Sequence, residues 1–504
     1  MSLALFFGLC VVISGVVIRF GMFLSTRLGV LDHPGGHKQH GASTPFVGGF
    51  GLIAVVLAVF YYGSVCFPEL LLHPVQIIAA GAMVLFVTGF ADDLWHLGFK
   101  TRFVIQAVVA IGMVSWGGVE LVTLGWIFPW QPIDLGFFAI PFTVFATIGL
   151  INALNMIDGI DGLSGSLSFI SLALIALVAA AAQNTTYLIV VVAIMGGLAG
   201  FLYYNLRYPS NKQARVFLGD NGSMLLGFLF AWLFIALSQG DRPAMTPATA
   251  LWFFSIPLMD TVSVMLRRIL SGKSPFRADR NHLHHLFIRA GFSVSDTVLI
   301  VSLLQLALGI VGISGLWLRV PEYVMFWLFI AVFATYFYVI LQPWHFVPNL
   351  RRLNAALGLI PVPARGVFVG YFQKDAAKEI LDVLAERLVG HYDCRFSLHQ
   401  VDHRKPGDAN IYVLIEIDGG LDEAPVGEIR RLMAQVKIHF SGRHELQMRL
   451  FMQRNRENDR RVTRLNNRII DPRRGKERRV KSKNTPIYTT VVNRKKRGTN
   501  VFRV

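Results

Sequence analysis

Residues 151–163 read Ile-Asn-Ala-Leu-Asn-Met-Ile-Asp-Gly-Ile-Asp-Gly-Leu, and this stretch decides how the chain is read. Asn152, Asn155, Asp158 and Asp161 recur at intervals of three residues between two long apolar runs, Phe137–Leu150 and Ser166–Ala182. Two amides and two carboxylates therefore stand where a membrane-spanning segment meets water. At helical spacing such residues drift slowly around one side and can face one pocket. Gly159 and Gly162 let the backbone turn or approach a ligand closely. Polar groups beside hydrocarbon are costly unless they face a cavity or partner, which makes them functional candidates. A helix cap followed by a solvated turn accounts for the same residues, so the choice rests on the rest of the chain.

Working outward, the 504 residues are 54% hydrophobic and 16% charged, with mean hydropathy +0.51. That composition excludes an ordinary soluble enzyme and fits a polytopic membrane protein. Eleven apolar segments are long enough to cross about 30 Å of hydrocarbon. They fall near 3–23, 46–66, 75–91, 103–119, 137–154, 166–182, 187–206, 223–237, 248–265, 294–316 and 323–341. Met1–Phe23 has neither a basic n-region nor a small-residue cleavage site and reads as a retained first span. Cys10, Cys66 and Cys394 show no metal or disulfide spacing.

Charge divides the chain. Residues 1–341 hold 16 Lys and Arg against 14 Asp and Glu, whereas residues 342–504 hold 32 against 17. Within the apolar part, alternate loops carry nearly all the Lys and Arg, including Lys38, Lys100, Arg102, Arg207, Arg267, Arg268 and Arg280. The other loops carry only Arg242 and Arg319. The basic loops are expected to be cytoplasmic, with the N-terminus outside and the C-terminus inside. Asp32, Asp92, Asp93, Asp158, Asp161, Asp220 and Asp279 then share the cytoplasmic side with five histidines.

Five clusters on that side carry the chemistry. They are Asp32-His-Pro-Gly-Gly-His37-Lys38-Gln-His40, Asp92-Asp93 with Lys100 and Arg102 beyond it, the opening stretch, Phe217-Leu-Gly-Asp220-Asn-Gly-Ser223, and Asp279-Arg280-Asn-His282-Leu-His284-His285. Carboxylates beside cations at a membrane surface suit a metal-bridged phosphate site, because Mg²⁺ prefers hard oxygen ligands shared with substrate phosphates. Phosphoryl transfer needs mainly positioning and charge neutralisation. Each cluster has a plainer reading: a solvated helix end, a turn with an N-cap, or, for His-x-His-His, zinc without any accompanying Cys. Asp260, inside the ninth segment and about two turns from Arg267, reads as a partner for a cation in the bundle, without a catalytic role.

The clusters, their order and the eleven-segment pattern resemble the polyprenyl-phosphate N-acetylhexosamine-1-phosphate transferases. Asn152–Leu163 and Asp279–Phe292 carry the resemblance most specifically, the latter being similar to the sugar-recognition loop of the N-acetylglucosamine branch. The resemblance covers roughly residues 1–341. It implies an inner-membrane enzyme in which undecaprenyl phosphate attacks the β-phosphorus of UDP-N-acetylglucosamine, releasing UMP, with Mg²⁺ or Mn²⁺ required. Such a reaction begins cell-surface polysaccharide synthesis. By the same resemblance Asp220 is the metal ligand, with Asn155. Asp92 and Asp93 orient or deprotonate the lipid phosphate, and Asp158 and Asp161 line the nucleotide side. Phe217 stacks on uracil, while Arg280, His282, His284 and His285 contact diphosphate and sugar. Lys38, His40, Lys100 and Asn152 complete the substrate-binding set. The place before Lys38, usually Arg, holds His37. Another UDP-N-acetylhexosamine is the alternative donor. An ion-coupled transporter is disfavoured, since its polar groups would sit near the midplane in two related halves.

After residue 341 the pattern changes. Prolines mark a linker over 342–363, and residues 364–453 follow a βαββαβ order, that of a ferredoxin-like plait. The strands are expected at 366–372, 392–401, 411–417 and 445–452, and the helices at 375–388 and 426–438. Residues 454–504, with 18 Lys and Arg against 4 acids, read as a disordered basic arm. Its expected partner is anionic lipid rather than specific nucleic acid. A second copy of the chain is a further candidate partner. The expected whole is thus an all-α polytopic membrane domain with a soluble α+β domain and a basic tail.

Overall fold

The computed structural model describes residues 2–29, 44–66, 74–211, 213–270, 272, 274–275 and 282–357. Beyond 357 it describes seven strands and residues 379, 383 and 435. The chain divides into two units, one holding residues 1–33 and 42–353, the other with most of its residues in 354–504.

The first unit is helical. Its helices are α1 (Leu3–Leu28), α2 (Gly48–Cys66), α3 (Pro74–Trp95), α4 (Phe99–Ser115), α5 (Ala139–Ile157), α6 (Leu163–Ala181) and α7 (Thr185–Asn205). After these come α8 (Gly219–Ser238), α9 (Pro247–Phe253), α10 (Ser255–Leu270), α11 (Leu283–Arg289), α12 (Val294–Trp317), α13 (Glu322–Leu341) and α14 (Pro343–Ala356). All eleven apolar segments fall on helices, but eight of the described helices are long and apolar enough to cross a membrane alone, or nine with the bent pair α9/α10. α4, with 17 residues, and α2, with 19, are further apolar helices. The chain is a polytopic membrane protein.

α8 is the axis of the bundle. In its apolar stretch 94% of residues are buried, against 17% for α1 and 22% for α13. α3, α5 and α2 pack around it. Glycines permit the close approaches. A Cβ on Gly89 of α3 would lie 2.4 Å from the Asn221 Cα, and one on Gly227 of α8 would lie 2.5 Å from the Ile151 Cα.

The ninth segment is not one straight span. α9 and α10 meet at 85°. Pro257 has no N–H to give the Phe253 carbonyl one turn earlier. That carbonyl instead accepts from the Ser171 hydroxyl (2.6 Å) and from Gln305 Nε2 (2.7 Å), while Gln305 Oε1 accepts the Ile256 N–H (2.9 Å). Gln305 is 0% exposed, so one buried amide from α12 repairs both sides of the break. Broken helices are tolerated at membrane depth when neighbours satisfy the freed groups in this way.

At the opposite end of α8 from Asp220, Gln239 and Glu322 hold the loop between α4 and α5. Gln239 Oε1 accepts the Val122 and Thr123 N–H groups at 3.0 Å, and Glu322 accepts Trp126 N–H (2.8 Å) and Ala248 N–H (3.2 Å). Glu322 is thus a loop anchor.

The second unit contains β1 (Arg365–Phe372), β2 (Cys394–Gln400), β3 (Ile411–Ile417), β4 (Met448–Met452), β5 (Arg468–Ile470), β6 (Glu477–Arg479) and β7 (Tyr488–Val492). An antiparallel sheet runs β4-β1-β3-β2-β7, and β5 pairs with β6. The four expected strands are present, whereas the two expected helices lie almost entirely outside the described residues. Two expectations differ from the structure. Residues 343–356 of the linker are helical, with Pro343 at the first helical position, where its missing N–H costs nothing. The tail contributes β5, β6 and β7; Tyr488-Thr-Thr-Val-Val is aromatic and β-branched, as strands prefer.

Candidate active site

The site is built where α3 ends, α4 begins, α5 ends and α8 begins. Asp92 and Asp93 occupy the last turn of α3, and Asp220 the first turn of α8. Asp93 serves α8 from outside. Its Oδ1 accepts the Asp220 N–H (3.0 Å), and its Oδ2 accepts the Asn221 N–H (3.2 Å) and Asn221 Nδ2 (2.6 Å). Helix starts leave N–H groups unpaired, and the N-cap Leu218 has no side-chain oxygen to offer. A carboxylate from α3 fills that role and faces the positive end of the helix dipole.

Asp92 faces elsewhere. It is 4% exposed and accepts from Arg102 Nη1 at 2.7 Å. The same Nη1 lies 3.8 Å from Asp220 Oδ2. One guanidinium thus stands between two carboxylates. Asn155 Nδ2 donates to Asp220 Oδ1 and to the Ser223 hydroxyl (3.0 Å), so the outer oxygen of Asp220 is the one turned toward Arg102. Asn221 Nδ2 also donates to the Phe46 carbonyl (2.9 Å), tying α8 to the segment entering α2.

The opening stretch does not stay helical. α5 ends at Ile157; Asp158 is its C-cap, Asp161 lies in a turn, and Gly162, at φ +84°, starts α6. The three-residue repeat therefore distributes its members. Asn152 on α5 donates to buried Gln106 (2.8 Å) and to its own Ile148 carbonyl. Asn155 reaches Asp220. Asp158 accepts from the Ser164 hydroxyl. Asp161, 6% exposed, accepts from Arg207 Nε (2.7 Å) and the Ala214 N–H (3.2 Å). It fastens the turn to the loop that leads to Phe217. Phe217 is half-buried, and its backbone is bonded on both sides to residues 45 and 48.

The histidine loop comes to the same turn. A Cβ on Gly159 would lie 2.6 Å from His284 Nε2, so glycine is what lets the ring approach. His284 is 0% exposed, and neither ring nitrogen has a hydrogen-bond partner among the described residues. Burial, then the neighbouring His285 and His282, hold its imidazole well below the usual range, against the opposing pull of Asp260. The His284 and His285 rings lie 4.2 Å apart. His282 binds Asp260 through Nδ1 at 2.7 Å. Lys100 is exposed in the first turn of α4. Lys38, His40 and Arg280 lie outside the described residues.

Three groups are not legible in the sequence: Arg102, which stands there beside Lys100 without a role; Asn221, which reads as part of a turn; and Asp260, whose partner is a histidine, His282. Asp260 carried a usable signal, since a lone carboxylate inside an apolar span seldom lacks a specific partner.

Residues 75–238 match glycosyl transferase family 4. The chain is 36% identical over 336 residues to the undecaprenyl-phosphate alpha-N-acetylglucosaminyl 1-phosphate transferase of Salmonella typhi, covering 66% of this chain and 90% of that one. The chain belongs to this family. The transferases of the same name from Escherichia coli O157:H7 (35% identity, 67% of this chain and 91% of that one) and Haemophilus influenzae (36%, 66% and 92%) are similarly close. Within the family 4 match lie α4, α5, α8 and all of α3 but its first residue, the four helices that converge on Asp220.

Proposed function

We propose that the chain transfers N-acetylglucosamine 1-phosphate from UDP-N-acetylglucosamine to undecaprenyl phosphate. The named relatives, matched over nine-tenths of their length, support the reaction. The observation that carries the assignment of the site is the convergence of Asp92, Arg102, Asn155 and Asp220 at the N-terminus of α8. A membrane transporter would not need a guanidinium held between two carboxylates at one end of the bundle. A phosphoryl transferase does, because anionic phosphates must be brought beside carboxylates and neutralised there.

In this reading a lipid-phosphate oxygen attacks the β-phosphorus. The new P–O bond forms as the bond to the UMP oxygen breaks, and UMP leaves with that electron pair. Arg102 neutralises and orients the incoming phosphate. Asp92 holds Arg102, and Asp93 holds the first turn of α8. Asp161 and Arg207 set the loop that presents Phe217 to the base. His284 and His285, with His282, face the donor's diphosphate and sugar across Gly159. Exchange of one phosphoanhydride for another needs little acid–base help. A phosphate monoester is mostly dianionic near neutral pH, its second pKa being about 6. Positioning supplies most of the gain, on the order of 7–11 kcal/mol.

The residues also suit a divalent cation. Among the described residues no three His, Cys, Asp or Glu side chains converge as a complete cage. Mg²⁺ is usually held by one or two carboxylates together with substrate phosphates, and Asp220, its side chain about one-third exposed, fits that mode. Asn155 turns its Nδ2 toward Asp220 and so supports the ligand rather than sharing the ion on that face. Such an ion, Mg²⁺ or Mn²⁺, would neutralise charge on the diphosphate.

The site belongs on the cytoplasmic side of the bacterial inner membrane, since Arg102, Arg207, Arg215, Arg267 and Arg268 flank it and the far end carries only Arg242 and Arg319. The strand order β4-β1-β3-β2 supports a ferredoxin-like plait in the second unit. The basic tail remains a candidate for anionic lipid. The deciding experiment is an assay of purified full-length chain with undecaprenyl phosphate, Mg²⁺ and a panel of UDP-sugars. Lipid-dependent release of UMP from UDP-N-acetylglucosamine in preference to UDP-N-acetylgalactosamine and UDP-glucose is the expected result. Turnover of none of them contradicts the proposal.

A further inference from the structure

Asp260 is the one acid buried at the heart of the bent pair α9/α10, at 0% exposure. Three donors from three places meet on it. His282 Nδ1 binds Oδ2 at 2.7 Å; the Leu283 N–H (2.9 Å) and the Tyr336 hydroxyl (2.7 Å) bind Oδ1. His282 is the N-cap of α11, so the Leu283 N–H is the first unpaired donor of that helix. One carboxylate on α10 thereby fixes the start of α11 and the ring at its cap. Two turns further along α10, buried Arg268 donates to the Pro275 carbonyl at the other end of the same loop. Pro275, His282 and Leu283 are therefore all held by side chains of one helix.

We propose that Asp260 is a positioning residue for the donor substrate, acting through His282 and braced by Tyr336. This rests on the reading of His282 as a donor contact. An ionised carboxylate is acceptor-only, so the proton of this pair sits on His282 Nδ1. That fixes the ring's orientation and leaves Nε2 as the only nitrogen able to meet an anionic ligand. The bond is made deep in the bundle, where a missing partner cannot be replaced by water. Beside His282 are Asp260 from α10, which also accepts from Tyr336 of α13, and His284 and His285 of α11, with ring centroids 5.6 and 5.9 Å away. Asp279 and Arg280, next in the chain, lie outside the described residues.

The test is a two-substrate kinetic cycle on the purified full-length chain: wild type, Asp260→Asn, His282→Gln and the double variant, with KM measured for UDP-N-acetylglucosamine and for undecaprenyl phosphate. Asparagine keeps an oxygen for Leu283 and Tyr336 but turns an NH₂ group toward His282 Nδ1 in place of an acceptor. Asp260→Asn should raise the nucleotide-sugar KM about tenfold. The lipid-phosphate KM should stay within about twofold, and the double variant should be no worse than His282→Gln. A rise in both KM values together, a loss of kcat alone, or additive effects in the double variant would overturn the positioning role while leaving the site reading intact. An unchanged nucleotide-sugar KM in His282→Gln would overturn the reading of His282 itself, and the proposal with it. If Asp260→Asn does not fold, Tyr336→Phe carries the test. It should raise the same KM by about two- to threefold, an effect absent in a His282→Gln background, and no change would count against the proposal.

Discussion

Replacing Asp93 with Asn tests whether this carboxylate does chemistry or holds α8. Its two oxygens accept three N–H groups from Asp220 and Asn221, at 3.0, 3.2 and 2.6 Å. An amide of the same shape has one oxygen, so at least one of those donors then faces an NH₂ group. A donor left unpaired in a partly buried site costs about 1–3 kcal/mol. Losing the negative charge at the positive end of α8 costs roughly 0.3–2 kcal/mol more. Together the loss is about 1–5 kcal/mol, a sizeable part of the roughly 5–15 kcal/mol that holds a domain folded. The expected result is therefore a lowered thermal midpoint, read from tryptophan fluorescence in detergent, together with lost turnover. Asn221→Ala should reproduce part of the same fall, because Asn221 shares the network. If Asp93→Asn abolished turnover while leaving the thermal midpoint where it was, Asp93 would be a reacting group and its capping role incidental.

Three further expectations follow from the site. Gly159→Ala places a methyl group 2.6 Å from the buried His284 ring; the ring must move, and the nucleotide-sugar KM should rise at least tenfold, whereas an unchanged KM would show that His284 does not face the donor. His284 is buried neutral, with its pKa held below the unfolded value. The unfolded chain therefore binds the extra proton first, so His284 contributes stability that is present above about pH 6.5 and lost as pH falls toward its folded value; His284→Gln should blunt the acid-side drop in thermal midpoint, and an identical pH profile would refute this. Single displacement predicts no exchange of labelled UMP into UDP-N-acetylglucosamine until undecaprenyl phosphate is added, whereas lipid-free exchange lost in Asp92→Asn would point to a covalent intermediate.

The sequence made the helices legible because hydrocarbon demands long apolar runs, and each run became a helix. It did not reveal the fracture at Phe254, whose cause, Pro257, is local but whose remedy, Gln305, lies some fifty residues away. The motifs were legible as clusters, yet periodicity misjudged how they divide. Asn152 and Asn155 share α5, but Asp158 and Asp161 leave it because Gly162 adopts a left-handed turn. Which acid does what was not readable, since Asp92, Asp93 and Asp161 are alike in type and differ only in what meets them: Arg102, the start of α8, and Arg207. Those partners come from other helices, and no spacing along the chain encodes them.

The central claim is that Asp220, turned outward by Asn155 and by the Asp93 cap, supplies the negative charge on which the transfer depends. The most direct measurement is UMP release by Asp220→Asn, titrated with Mg²⁺ at saturating UDP-N-acetylglucosamine and undecaprenyl phosphate, alongside its thermal midpoint. Asparagine can offer Mg²⁺ an oxygen but brings no charge. The account predicts a folded protein whose turnover falls by at least about a hundredfold, equivalent to roughly 2.7 kcal/mol of lost transition-state stabilisation, with partial recovery only at high Mg²⁺. Near-native turnover at limiting Mg²⁺ would contradict it.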